Sequence, residues 1–261
     1  MKILLTGAAG GVGTMIRPLL KQAYSQVLLS DLTEPAALQA GETFIRADLS
    51  KFDEVAALMS GIDGVIHLGG QSVEAGWDVI LSANIIGLTN VYEAARQAGV
   101  ARLVFASSNH AVGFYPRDQV IDNTVPVRPD SRYGVSKVFG EALGSLFASK
   151  HGMQITDIRI GNVGYEPLDR RRLSIWLHPE DLVQLIRIGL EHPEIEHETL
   201  YGASDNARGW WNNHRATDLG YKPAYQSEVF AQEILARQEP ADAVADQFQG
   251  GTFCAAEFNK R

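Results

Sequence analysis

A tyrosine and a lysine four residues apart, in the stretch Tyr133-Gly134-Val135-Ser136-Lys137, carry the clearest chemical consequence in this sequence. On a helix, residues i and i+4 share a face one turn apart. An ammonium beside a phenol favours the phenolate, so such a pair can accept a proton near neutral pH. The spacing also arises by chance, and neighbouring charges often belong to structural networks. The elements around the pair decide between these readings.

The amino-terminal stretch supplies a second pattern. An apolar run, Ile3 to Leu5, enters the turn Thr6-Gly7-Ala8-Ala9-Gly10-Gly11-Val12-Gly13. A helical segment through Met15, Ile16, Leu19 and Leu20 follows, then an apolar strand Gln26–Ser30 that ends at Asp31. Strand, glycine turn, helix, strand and acid together make a mononucleotide-binding unit. Gly7 permits the tight turn, Gly10 the approach of a pyrophosphate, and Gly13 the close packing of the helix, whose free N–H groups attract phosphate. A carboxylate at Asp31 accepts bonds from both ribose hydroxyls and repels a 2′-phosphate, which favours NAD over NADP.

The remaining strands repeat the theme. A weaker strand, Thr43 to Arg46, leads to Asp48-Leu49-Ser50, where Ser50 or Asp48 can cap the helix through Val55, Ala56 and Leu58. The buried strand Gly64–Leu68 contains His67, which reads as a core histidine, and ends at Gly69-Gly70. A long helix is expected from Asp78 to Ala98, with Asn84 inside it as a buried brace or an exposed residue. The strand Arg102–Ala106 ends at Ser107-Ser108-Asn109-His110, and an irregular stretch, Tyr115 to Asp130, precedes the Tyr133 helix. Gln154 to Ile160 forms a further strand, ending at Gly161-Asn162. The candidates collect at the carboxyl ends of strands, where a doubly wound parallel sheet binds its ligands. The expected fold is therefore α/β, a Rossmann core over residues 1–165 carrying the cofactor and catalytic residues. Residues 166–261 form a small substrate-covering region that is not an independent domain. Its Trp210-Trp211 pair reads as core or interface packing rather than a base-stacking platform.

Composition narrows the function. The chain has 261 residues, 45% hydrophobic and 21% charged, and a formal net charge of −8. That balance argues against a general nucleic-acid-binding surface, and it obliges any anionic substrate to find a local cation. The single cysteine, Cys254, excludes an intramolecular disulfide and a cysteine-cluster metal site, and fits a reducing cytoplasm. The first apolar run stops too early for a signal peptide, and no segment approaches membrane-spanning length. The expectation is a soluble cytoplasmic protein with no resident metal. The Trp pair and the Phe-containing tail make a homo-oligomer plausible.

With Gly7-x-x-Gly10-x-x-Gly13, Asp31, Asp48-Leu49, Asn84, Ser107-Ser108 and Tyr133-x-x-x-Lys137 in register, the first two thirds of the chain resemble the extended short-chain dehydrogenase/reductases. The resemblance is closer to one branch, the uronate dehydrogenases, and runs nearly end to end. It is carried by Gly69-Gly70-Gln71-Ser72-Val73-Glu74, Phe105-Ala106-Ser107-Ser108-Asn109-His110, Arg171-Arg172-Leu173-Ser174-Ile175-Trp176, Gly209-Trp210-Trp211 and Phe248-Gln249-Gly250-Gly251-Thr252-Phe253. It implies NAD-dependent oxidation of the anomeric carbon of galacturonate or glucuronate to an aldarolactone. It implies cofactor contacts from Gly7, Gly10, Gly11, Val12, Gly13, Asp31, Leu32, Asp48, Leu49, Leu68, Gly69, Gly70, Asn84, Tyr133, Lys137 and Ile160. Tyr133, Lys137 and Ser108 become the catalytic residues, Tyr133 as base. Arg171 matches the carboxylate-binding position, while Arg170 and Arg172 stay unassigned. Ser72, Ser108, Asn109, His110, Tyr133 and Asn162 face the sugar, with asparagine at 162 where the family has serine. Two rivals share the glycine turn: a nucleotide-sugar epimerase or dehydratase, which needs a larger carboxyl-terminal region, and a non-enzymatic NAD-sensing protein, which does not need the Tyr–Lys pair.

Overall fold

The computed structural model describes residues 1–259. In chain order its elements are β1 (Lys2–Thr6), α1 (Gly11–Ala23), β2 (Gln26–Ser30), β3 (Glu42–Phe44), α2 (Phe52–Leu58), β4 (Gly64–His67) and α3 (Trp77–Ile80). A π-helical turn, Leu81–Ile86, joins α3 to α4 (Gly87–Gln97), and β5 (Arg102–Ser108) runs into a 3-10 turn, Asn109–Val112. Then come α5 (Arg132–His151), β6 (Gln154–Ile160), β7 (Asn162–Val163), α6 (Arg172–Ile175), β8 (Trp176–Leu177), α7 (Pro179–Glu191) and β9 (His197–Gly202). The chain closes with α8 (His214–Asp218), α9 (Ala231–Ala236) and α10 (Thr252–Ala255).

Seven parallel strands form one sheet in the order β3-β2-β1-β4-β5-β6-β9, and β7 and β8 pair separately. The order reverses between β1 and β4, the place where such sheets open a crevice at their carboxyl ends. Strands buried on both faces read as continuous apolar runs, and β1 shows why: Ile3 and Leu5 pack with Ile16, Leu20, Leu182 and Ile186, while Leu4 faces Val55, Leu88 and Val91. The carboxyl-terminal region is built into this frame. β9 extends the sheet by pairing Ile155 to Ile160 with His197 to Gly202.

Several details depart from the sequence reading. Neither Ser50 nor Asp48 caps α2; Lys51 is the N-cap, without a side-chain bond. Asp48 Oδ1 instead accepts from the Ser50 N–H and hydroxyl at 2.9 and 2.8 Å, closing a turn of its own. The expected helix from Asp78 to Ala98 is nearly continuous, but the π turn within it carries Asn84. The extra residue of that turn rotates Asn84 inward as a buried brace, and π turns of this kind accompany functional sites. Its amide accepts from Gln71 N at 2.7 Å and donates to Gln71 O and Ser136 Oγ at 3.0 and 2.9 Å. The Trp pair lies against protein: Trp211 stacks on Tyr201 with ring centres 4.9 Å apart, and the Arg117 guanidinium covers Trp210 at 5.5 Å.

Helix α5 has little apolar periodicity because its inner face carries small and polar groups. Tyr133, Ser136, Lys137, Gly140, Glu141 and Gly144 are all buried. A Cβ at Gly140 would fall 2.2 Å from Phe105 Cε1, so glycine there lets the helix press directly on β5. Glu141 clamps the contact. It takes two bonds from Arg159 on β6, at 2.9 and 2.8 Å, and one from Ser107 Oγ on β5 at 2.6 Å. A buried pair stripped of one partner leaves an uncompensated charge, costing about 3–5 kcal/mol. Arg159→Met alone should lower the denaturant-derived stability by that amount, and Arg159→Met with Glu141→Leu should recover most of it. Equal stability of the single variant and the parent would show that the clamp contributes nothing.

Candidate active site

A groove of about 830 Å³ crosses the carboxyl ends of β1, β2 and β4. Its walls include Gly7, Gly10 to Gly13, Asp31, Leu32, Asp48, Leu49, Leu68 to Ser72 and Ala83. Gly7 has φ +70°, and a Cβ on Gly13 would stand 2.4 Å from the Gly7 carbonyl oxygen, so α1 closes on the turn only without side chains. Asp31 Oδ2 accepts from Ala9 N at 2.9 Å and Oδ1 from Leu32 N at 2.7 Å. A carboxylate has about four acceptor positions, so half of Asp31's capacity remains for two ribose hydroxyls. The Ser30 hydroxyl, also at the groove, is buried with no partner among the described residues. A side-chain-free cradle at a helix N-terminus beside a carboxylate with spare acceptors fits NAD.

Asn84, Tyr133, Lys137 and Ile160 lie beyond these walls. Asn84, grouped with the cofactor contacts in the sequence reading, stands behind Gly70 and Gln71 with its amide bonded inside the protein. Ile160 ends β6, and its carbonyl accepts from the Asn109 amide at 3.2 Å.

Tyr133, Lys137 and Ser108 meet where α5 crosses the end of β5. Ser131 caps α5, its hydroxyl accepting from Gly134 N at 2.9 Å. Glu74, from the loop that carries Ser72, receives the Tyr133 N–H at 2.9 Å and the Arg132 N–H at 3.2 Å. The Lys137 ammonium donates to the Ala106 carbonyl at 2.7 Å and lies 5.3 Å from the Tyr133 ring centre. Burial pushes the Tyr133 phenol up to about 12, against the hydrogen bond from Ser108, and Asp130 adds to the rise. Burial also brings the Lys137 ammonium down to about 8. Desolvation thus governs both groups, raising Tyr133 and lowering Lys137.

Opposite the phenol stand residues that the sequence reading assigned to the sugar. His110 Nδ1 bonds Asp130 Oδ2 at 2.7 Å, and its ring stacks on Phe253 with centres 3.8 Å apart. Burial lowers its pKa more than Asp130 raises it, so the ring is neutral near pH 7; with Nδ1 donating to Asp130, Nε2 is an acceptor for a hydroxyl. Asn109 takes the amide orientation in which its oxygen accepts from Arg171 Nη2 at 3.0 Å. Arg171 Nε donates to the Gln249 carbonyl at 2.8 Å. Its Nη1 bonds no acceptor among the described residues. Arg170 and Arg172 turn elsewhere, to the Leu235 and Arg237 carbonyls and to Asp169 respectively. Ser72 is exposed at the groove; Asn162, half-buried, begins β7 and is not among the groove's walls.

Sequence reasoning gave no role to Glu74, Asp130 or Gln249. Each has a partner far along the chain, 20 residues away for Asp130 with His110 and 133 for Gln249 with Pro116, which no local spacing signals. Among the described residues no group of three or more His, Cys, Asp or Glu could hold a metal ion.

The buried ammonium predicts a measurable conflict between stability and activity. Its lowered pKa means the folded state binds fewer protons than the unfolded chain between about pH 8 and 10.5, so folding stability rises across that window. Below it the charge costs on the order of 3 kcal/mol, partly offset by the Ala106 bond. Lys137→Met should hold or gain stability at pH 7, lose the rise above pH 8 and lose about 10²–10⁴-fold in turnover. Thermal unfolding at pH 7 and pH 10 reads this; a variant destabilised at pH 7 would refute it.

Comparisons with known proteins place the chain in a family. The NAD dependent epimerase/dehydratase family model matches residues 3–175. Uronate dehydrogenase from Pseudomonas putida is 46% identical over 259 residues, covering 98% of this chain and 96% of that protein. The crystal structure of glucuronic acid dehydrogenase from Chromohalobacter salexigens superposes with a TM-score of 0.94 at 44% identity, covering 97% of this chain and 96% of that one. A mutant uronate dehydrogenase from Agrobacterium tumefaciens, complexed with NAD, gives a TM-score of 0.94 at 40% identity, covering 100% and 99%. The chain is a member of the NAD dependent epimerase/dehydratase family and, within it, of the uronate dehydrogenases, NAD-dependent oxidoreductases.

Proposed function

We propose that this protein oxidises the anomeric carbon of a hexuronate, galacturonate or glucuronate, to the aldarolactone with NAD as acceptor. One observation carries the reading: Arg171, bonded to Asn109, the residue following Ser108, has no acceptor for Nη1 among the described residues. The Ser108, Tyr133 and Lys137 trio serves any sugar alcohol, whereas a guanidinium with an open edge selects an acid.

The substrate carboxylate docks on Arg171, and Ser72, Asn109, His110 and Asn162 receive the ring hydroxyls. The anomeric hydroxyl lies between Ser108 and Tyr133. Tyr133 takes its proton as the C1–H bond electrons leave as hydride, so C1 becomes the lactone carbonyl and the two electrons reduce the cofactor. Bound NAD supplies the hydride acceptor and a positive nicotinamide ring. Lys137 adds its charge beneath the phenol, and Ser108 holds the hydroxyl in line. Positioning of this kind contributes as much as the base itself.

Residues 166–261 act as a covering region, since β9 completes the sheet and Arg171 and Gln249 meet over the site. The partner proposed beyond the substrate is a second copy of the chain. Trp77, Leu81, Val135 and Leu146 are exposed on helical surfaces, and such apolar residues are enriched at interfaces. No helix among the described residues is long and apolar enough to cross a membrane. A lone buried cysteine, Cys254, suits the reducing cytoplasm.

Mixing the protein with NAD and galacturonate should raise NADH absorbance, and Tyr133→Phe should abolish that rise while leaving NAD binding nearly unchanged. Turnover by Tyr133→Phe within tenfold of the parent would reject Tyr133 as the base.

A further inference from the structure

Gln249 is bonded more completely than a residue in an irregular segment needs to be. It is 1% exposed. Its Nε2 donates to the Pro116 and Gln119 carbonyls at 3.0 and 2.8 Å, and its Oε1 accepts from Trp211 Nε1 at 2.9 Å. Its backbone N–H reaches the Tyr115 carbonyl at 2.9 Å. Every group of this residue is spoken for, and the remaining one, its carbonyl, is the acceptor for Arg171 Nε at 2.8 Å.

We propose that the segment Gln249–Gly251 aims Arg171, making Gln249 and Gly251 positioning residues for acid recognition. The inference rests on the reading of Arg171 as the carboxylate anchor. A guanidinium has five N–H donors in a fixed plane. Gln249 takes the Nε donor and Asn109 one Nη2 donor, so two of the three nitrogens are fixed. What remains are three donors, two on Nη1 and one on Nη2, to which a carboxylate can dock. The side-on edge, Nε with Nη2, is closed to substrate by the Gln249 carbonyl.

Gly251 makes the approach possible. It sits at φ +66°, and a Cβ there would stand 2.7 Å from both Cδ and Nε of Arg171. A methyl group at this position displaces the flexible end of Arg171 and deletes no hydrogen-bonding atom. Trp211 sets the other boundary, since its stacking on Tyr201 at 4.9 Å fixes the indole N–H that holds the Gln249 side chain. Carboxylate selectivity is thereby decided by a segment that need not touch the sugar.

The test compares kcat and KM for galacturonate and for neutral galactose in Gly251→Ala and in Trp211→Phe, which keeps the stacking and loses one hydrogen bond. Gly251→Ala should raise KM for galacturonate at least tenfold, with kcat changed less than threefold and kcat/KM for galactose within twofold. Trp211→Phe should move the same ratio in the same direction by a few-fold. In an Arg171→Ala background, either change should add less than twofold. Equal losses for both sugars, or full additivity with Arg171→Ala, would overturn the positioning role. Arg171→Ala alone separates the layers: preserved acid preference there removes the anchor and this inference together. Acid preference lost in Arg171→Ala but kept in both other variants removes the inference alone.

Discussion

Desolvation of one ammonium, that of Lys137, is the constraint from which the rest of the site follows. The ammonium lies between the Ala106 carbonyl and the rings of Phe105 and Tyr133, buried there because a helix is pressed onto a strand end. The pressure comes from Gly140, where a side chain would enter Phe105, and from the Glu141 clamp on Arg159 and Ser107. Thus the residue before Ser108 and the helix carrying Tyr133 are held by one buried carboxylate. The same burial that costs stability makes the pair responsive to charge arriving beside it, because interactions strengthen where water is excluded.

The other charges near the site are each committed to a partner. Asp130 is spent on His110 and the Ser131 hydroxyl, and Glu74 on the first turn of α5 and on Arg132. Arg132 also reaches Glu257, tying the closing segment to the substrate loop. Arg171 differs, since two of its nitrogens are held and the third has no acceptor among the described residues. In a chain with net charge −8, that guanidinium is the anchor proposed for an anionic sugar.

The parts of this arrangement visible in the sequence are those with local grammar. The glycine turn, Asp31 just after β2 and the Tyr133–Lys137 spacing all follow from neighbours a few residues away, and the structure has them in place. The cap of α2 was misread because Asp48 and Ser50 bond each other one residue ahead of the helix. Asn84 could not be placed because a π turn shifts the face of every later residue, and sequence periodicity assumes 3.6 per turn. Helix α5 carries almost no apolar stripe, since the positions that would be apolar hold the chemistry and the glycines beneath it. Glu74, Asp130 and Gln249 were silent for a plainer reason: their partners lie on other elements, and only the folded sheet brings them together.

Burial holds the Tyr133 phenol high, and in the proposed reaction positive charge beside it brings it into working range. The direct measurement is an NMR titration of the Tyr133 Cζ carbon in protein labelled with 13C-tyrosine, free and with NAD bound, assigned by comparison with Tyr133→Phe. The account predicts a free-protein pKa near 12, from burial opposed by Ser108, and a clear fall when NAD binds. A resonance that titrates near the ordinary value of about 10 in the free protein and does not move with NAD would contradict it.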